Sequence, residues 1–218
     1  MKNKTISAQE AVEHVKDGDT LMIGGFLAGG HPEHLVNALL KTNNSSNLTI
    51  ISNDTGTPEL SICELVKSGR VKRIFASYIG ANPETGRLLM TGEAQVQLFP
   101  QGTLAEKIRA GGAGLGGVLT PVGLGTVVED GKKKIKIGEK EYLLELPLKA
   151  DVALIKANQA DETGNLVING SSRNFNMVMA TAADYVIAEV DEIVKTGEID
   201  PNHVNVPGIF VDAVVKVG

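Results

Sequence analysis

Two hydrophobic periods alternate along the first 110 residues. Short apolar runs at Leu21-Met22-Ile23, Leu48 to Ile51, Val71 to Ala76 and Val96 to Phe99 predict strands; Lys72 and Arg73 interrupt the third near its start. Between them, apolar positions recur at helical spacing. Ala11, Val12 and Val15 follow a capping-box pattern at Ser7-Ala-Gln-Glu10, with Gly18 as the predicted stop. Leu35, Val36, Leu39 and Leu40 follow Pro32, which is predicted as the first helical residue. Leu60, Ile62, Leu65 and Val66 follow Pro58 and end at Gly69, and Pro83 to Met90 predicts a short helix. A second capping-box pattern, Thr103-Leu-Ala-Glu106, predicts a helix that stops at Gly111-Gly112. Strands this apolar, joined by helices, predict an α/β fold: an open, mostly parallel sheet covered by helices on both faces.

The pattern changes after Gly111. Gly112, Gly114, Gly116 and Gly117 are too dense for a helix, and Val127-Val128, Lys134 to Ile137 and Tyr142 to Leu146 follow as short apolar runs. They predict an antiparallel β insertion at about residues 118–148, with Asp130-Gly131 as a turn. The α/β theme then returns with strands at Val152 to Ile155, Leu166 to Ile168, Tyr185 to Ala188 and Val211 to Val217, and a helix near Phe175 to Ala183. No Ser/Pro-rich linker, repeat or low-complexity tract divides the chain, so one domain is expected over 1–218.

Composition narrows the class. A single cysteine excludes a disulfide scaffold and a cysteine-based zinc cluster within the chain. The formal charge of −5 argues against a nucleic-acid binder, and Lys132-Lys133-Lys134 reads as a solvated turn. No apolar run is long enough for a membrane span and no secretory signal is seen, so a cytoplasmic location is expected, with neither membrane nor nucleic acid as partner. The 25 glycines exceed by about ten the number expected at roughly 7% usage, and nine of them fall in two groups: Gly24, Gly25, Gly29, Gly30, and Gly111, Gly112, Gly114, Gly116, Gly117.

The first group holds the candidate chemistry. Gly24-Gly25-Phe26-Leu27-Ala28-Gly29-Gly30-His31-Pro32 follows a strand and precedes a helix, where open α/β sheets bind ligands. Glycines there let a ligand approach backbone N–H groups, and a helix N-terminus favours negative charge. Neither GxGxxG nor GxxxxGK[ST] matches. An anion- or thioester-binding loop and a bland tight turn both remain open at this point. Asn53, at the end of a predicted strand, is a candidate polar contact or an Asx-turn.

Asp17-Gly18-Asp19-Thr20-Leu21-Met22-Ile23-Gly24-Gly25-Phe26 followed by Gly30-His31-Pro32 resembles the α-subunit signature of family I coenzyme A transferases. The resemblance continues through Ser52-Asn53-Asp54, Ile79-Gly80-Ala81-Asn82-Pro83-Glu84, Pro100-Gln101-Gly102-Thr103-Leu104, Arg109 to Gly114, Arg173-Asn174-Phe175-Asn176 and Thr196-Gly197, in order and over nearly the whole chain. It implies transfer of CoA between a short-chain acyl-CoA and a carboxylate such as acetate, butyrate or acetoacetate, through covalent acyl–glutamyl and glutamyl-CoA intermediates. It places the glutamate nucleophile in a Ser-Glu-Asn-Gly type motif of a β subunit. This chain lacks that string, so a hetero-oligomer, α1β1 or α2β2, is implied. CoA thioesters are then substrates, and no permanently bound cofactor is expected. The resemblance assigns Gln101, which in its Pro-Gln-Gly turn also reads as a helix cap, to the oxyanion hole, and Gly24, Gly25, Phe26, Leu27, Ala28, Gly29 and Gly30 to CoA or substrate binding; Asn53 stands beside them as a second candidate polar contact.

Other features take plainer readings. Glu33, Glu59, Glu84, Glu93 and Glu106 are expected as cap and dipole residues at helix starts. His31 and His34 read as helix-end polarity rather than metal ligands, and Cys63 as a small core residue. Arg173 to Asn176 either faces a partner or anchors its own helix, and Gly111 to Gly117 either lines the site or forms a flexible connection. Two rivals remain: a sugar-phosphate isomerase using the glycine loops for phosphate, and a non-catalytic acyl-CoA sensor.

Overall fold

A computed structural model describes residues 2–218; Met1 lies outside the described residues. The strands β1 (Thr20–Ile23), β2 (Leu48–Ile51), β3 (Val71–Ala76), β4 (Gln95–Leu98), β8 (Ala150–Asp161), β10 (Ala183–Val194) and β11 (Ala213–Lys216) form one parallel sheet in the order β11-β10-β8-β1-β2-β3-β4. The short β9 (Leu166–Val167) pairs antiparallel with β8. Progression runs outward from β1 to β4 on one side and from β8 to β11 on the other. The order therefore reverses between β1 and β8, and loops at the C-terminal ends of these strands frame a crevice.

Alternation along each strand builds two cores. Leu21, Ile23, Ile50 and Leu154 face α1 (Ala8–Val12), α2 (Glu33–Thr42), α3 (Ser61–Lys67) and α4 (Pro83–Thr91). Met22, Ile51, Ala153 and Ile155 face α5 (Gln101–Gly112) and α6 (Asn174–Met179). The expected sheet with helices on both faces is what forms. The antiparallel insertion is a separate sheet, β5 (Val118–Thr120), β7 (Lys140–Glu145) and β6 (Lys134–Ile137) in that order. It is tied to α5 by buried Glu145, which accepts from Lys107 at 2.9 Å and Lys132 at 2.5 Å.

Several boundaries move, each for a local reason. The Ser7–Glu10 capping box forms, but α1 stops at Val12, because Asp17 and Gly18 are drawn off to bond Ser46. Pro32 is the N-cap of α2 rather than its first residue. Pro58 lies in a turn closed by Leu60 N–H on Thr57 O, so α3 starts at Ser61. The second capping box does not form: α5 begins at Gln101, Thr103 lies inside it with an unpartnered buried hydroxyl, and Glu106 pairs with Arg109. Val127-Val128 belongs to a 3-10 turn capped by the Thr126 hydroxyl, not to a strand. Helix α6 ends at Met179, freeing Ala182 O to accept the Ala150 N–H at the start of β8.

The expected strands at 152–155 and 185–188 are each twelve residues long. Polar Lys156, Asn158, Gln159, Glu189, Asp191 and Glu192 break their apolar runs but not their register. Gly111 and Gly112 close α5 instead of opening a loose connection. A Cβ on Gly111 would stand 1.9 Å from Leu148 O, and one on Gly112 2.3 Å from the Thr181 hydroxyl. Close backbone approach is a third reason for these glycines, besides the two considered above.

Candidate active site

Successive strand ends deliver the site. After β1, Gly24 N–H continues the sheet by bonding Leu154 O. Phe26 and Gly29 then exchange N–H···O bonds of 2.9 Å across a two-residue turn in which Leu27 takes φ +47. Leu27 N–H donates to Asp54 Oδ2 at 2.8 Å. His31 is buried, and its Nε2 donates to Leu27 O. A carbonyl only accepts, so the ring proton sits on Nε2, leaving Nδ1 without a partner. Gly25 at φ +116 makes room for this ring, since a Cβ there would lie 2.5 Å from Nδ1.

The ends of β2, β3 and β4 supply a polar floor. Asn53 Oδ1 accepts from Gln101 Nε2 and from the Ser77 hydroxyl, both at 2.9 Å, while Asn53 Nδ2 donates to Asp54 Oδ2 at 2.8 Å. Asp54 Oδ1 accepts Gly56 N–H at 2.9 Å. Asp54 is almost fully buried and both its oxygens are engaged, so it braces the floor and is not a free base. Phe26, Leu27 and Tyr78 are partly exposed apolar walls above Asn53, Ser77 and Gln101, around a cavity of about 370 Å³. A neighbouring cavity of about 240 Å³ shares Phe26 and Gln101 and continues along Gly102, Ala105, Asn174, Phe175 and Val178. A cavity of about 380 Å³ beside Lys107, Lys132 and Glu145 shares none of the floor residues.

Gly24 to Gly30, Asn53 and Gln101 are thus brought together. The N–H groups of Gly24, Phe26, Leu27 and Gly29 are spent within the protein, whereas those of Gly25, Ala28 and Gly30 have no partner among the described residues. The loop is riveted from α6. Asn176 is fully buried; its Nδ2 donates to Gly30 O and its Oδ1 accepts Lys156 N–H, both at 2.9 Å. Asn174 Nδ2 donates to Gly29 O at 3.2 Å. A Cβ on Gly24 would fall 1.8 Å from Asn176 Oδ1. The Arg173 to Asn176 segment therefore anchors the glycine loop, a role that neither sequence reading of it contained. Asp54, Ser77, Tyr78 and Asn176 were missed as site builders. For Asp54 the signal was its place beside Asn53 at a strand end; for Asn176 the only trace was Gly24, 152 positions earlier in the chain.

The five glutamates considered above lie elsewhere in the bonding scheme. Glu33 accepts Ser61 N–H at the start of α3, and Glu84 and Glu93 clamp Arg87. Glu59 lies in the turn before α3, where bonds from Thr57 and its own backbone hold its carboxyl below the usual range. Only Glu33 and Glu84 stand in first turns of helices. Among the described residues, no group of three or more His, Cys, Asp or Glu is placed to hold a metal ion, and no helix is long and apolar enough to cross a membrane.

The family model described as Coenzyme A transferase matches residues 5–217. The chain is 50% identical over 215 residues to the acetate CoA-transferase subunit alpha of Escherichia coli K12, covering 99% of this chain and 97% of that protein. It is also 50% identical over 216 residues to the acetoacetyl-CoA:acetate/butyrate CoA transferase alpha subunit of Clostridium acetobutylicum, covering 99% of each. Among solved structures it superposes at TM-score 0.89 and 27% identity on an acyl-CoA transferase from Escherichia coli O157:H7 in a thioester complex with CoA. That match covers 99% of this chain and 47% of the other, so this chain spans just under half its length.

Proposed function

The chain belongs to the coenzyme A transferase family, and from that premise we propose that it is the α subunit of an enzyme moving CoA between a short-chain acyl-CoA and acetate, butyrate or acetoacetate. We infer that the nucleophilic glutamate comes from a separate β subunit in a cytoplasmic α/β hetero-oligomer. One observation carries this reading. The floor offers neutral donors, and its one carboxylate, Asp54, is fully occupied. The length of the E. coli O157:H7 transferase, about twice this chain, fits a second unit of similar size.

The chemistry follows from the donors. The partner's carboxylate attacks the thioester carbonyl, and the π electrons move onto oxygen. One Nε2 hydrogen of Gln101 is held by Asn53, which orients the amide so that the other can meet this oxyanion. Collapse expels CoA thiolate and leaves an acyl–glutamyl anhydride. Thiolate attack at the glutamyl carbonyl releases the carboxylate and forms glutamyl-CoA, and a second acid reverses the steps. A neutral amide stabilises the oxyanion without trapping carboxylate substrates as an arginine would. The N–H groups of Gly25, Ala28 and Gly30, which have no partner among the described residues, supply contacts for the CoA thioester.

The test is co-expression with the partner subunit, then incubation with acyl-CoA and borohydride. A reduced glutamyl thioester in the partner, with none in this chain, is the expected result. A labelled glutamate in this chain, or full transferase activity without a partner, overturns the proposal. The isomerase rival needs a free acid and base at the floor, and the sensor rival predicts no turnover with any partner.

A further inference from the structure

Helix α2 starts directly after the glycine loop, with Pro32 as its N-cap and no side-chain cap from its own segment. The N–H of Leu35 in its first turn is held from two strands beyond β1. Glu189, in the middle of β10 and 3% exposed, sets Oε2 2.9 Å from Leu35 N. Lys156, opposite Glu189 in the β8–β10 register, approaches Glu189 Oε1 at 3.3 Å and is held by Asp191 at 2.5 Å. The backbone N–H of the same Lys156 goes to Asn176, which holds Gly30 O. One stretch of β8 thus reaches both flanks of residues 30–35.

Burial pushes the Glu189 carboxyl above the usual range, with the Leu35 N–H and Lys156 pulling the other way. Keeping a carboxylate here is costly, which points to a specific task. A helix N-terminus carries roughly half a positive charge and is a ready anion site when empty.

We propose that Glu189 is a positioning residue: it caps α2 from β10, fixes the take-off of the glycine loop, and fills the helix end so that the loop meets an uncharged thioester rather than a phosphate. The kinetic part rests on the transferase reading; the structural part does not.

The complex of this chain with its partner subunit is compared with Glu189→Gln, Glu189→Ala and Lys156→Met. In Glu189→Ala, amide hydrogen exchange at residues 25–35 should rise about fivefold, with β1 and β2 unchanged. Its KM for acyl-CoA should rise about tenfold more than kcat per active site falls, and millimolar inorganic phosphate should become inhibitory. Glu189→Gln, which keeps an oxygen acceptor, should restore the exchange pattern and the KM. Lys156→Met should leave the Leu35 amide protected. Exchange in Glu189→Ala that matches the parent, or that rises equally across the sheet, overturns the proposal, as does an unchanged KM in an active complex. If the parent complex transfers no CoA, the transferase reading falls and the exchange data alone decide the role of Glu189.

Discussion

Replacing Gly24 with alanine tests whether the loop is set by Asn176. The φ of Gly24 lies outside the left-handed region, so alanine is permitted by its backbone. The obstacle is the new methyl, 1.8 Å from Asn176 Oδ1 and 2.7 Å from its Cγ. No flexible end can swing away, because Asn176 is fully buried and bonded to Lys156 N, Gly30 O and Ser172 O at 2.9 Å each. Displacing it forfeits three hydrogen bonds of about 1 kcal/mol net each, and unpaired buried partners add to the cost. Gly24→Ala should therefore destabilise the chain by about 3–5 kcal/mol, and Asn176→Ala by about 3–4 kcal/mol. In the double variant the clash is gone and the new methyl occupies vacated space. Its stability should match Asn176→Ala alone, a coupling of about 3–5 kcal/mol, the whole cost of Gly24→Ala. Urea unfolding of the four proteins, followed by circular dichroism, measures the cycle. Additivity within about 0.5 kcal/mol would refute the reasoning and show that Gly24 is needed for something other than Asn176.

Two further outcomes follow. Gln101→Ala should lower kcat of the reconstituted enzyme about 10²–10³-fold, the usual cost of one oxyanion donor; unchanged steady-state kcat removes Gln101 from the mechanism. At Glu145, burial pushes the carboxyl up, but the Lys132 and Lys107 ammonium groups outweigh it and hold the group below the usual carboxylate range. Its contribution is therefore present at neutral pH and lost as pH falls through the folded value, below the ordinary range. Glu145→Gln should cost about 3 kcal/mol at neutral pH, and its gap in urea midpoint from the parent should narrow as the pH falls below the ordinary carboxylate range; a gap independent of pH contradicts the ion-triad assignment.

What could be read from the chain divides along physical lines. Apolar runs such as Leu21 to Ile23 and Leu48 to Ile51 declare buried strands because both faces of the sheet are covered. The outer halves of β8 and β10 were hidden because Lys156, Asn158 and Glu189 serve bonding there, not burial. Val127-Val128 has a strand's composition, yet Thr126 caps it into a turn. The loop at Gly24 and the polar ends at Asn53 and Gln101 were visible because they follow strands in open α/β order. Asn176 and Glu189 were not, since a bond across 146 or 154 positions leaves no local pattern.

The polar floor draws on Asn53, Asp54, Ser77 and Gln101, all within the first 101 residues and just past the ends of three strands that pair in order of synthesis. Further groups that pin the glycine loop and the start of α2, Lys156, Asn174, Asn176 and Glu189, come from the later half. A chain emerging from the ribosome can lay down its floor while the loop above it still lacks its anchors from α6 and β10. Assembly of this half-site therefore runs from bottom to top, and a truncated chain ending after α5 would keep its donors and the Asp54 bond to Leu27 but lose the anchors of Gly29, Gly30 and Leu35.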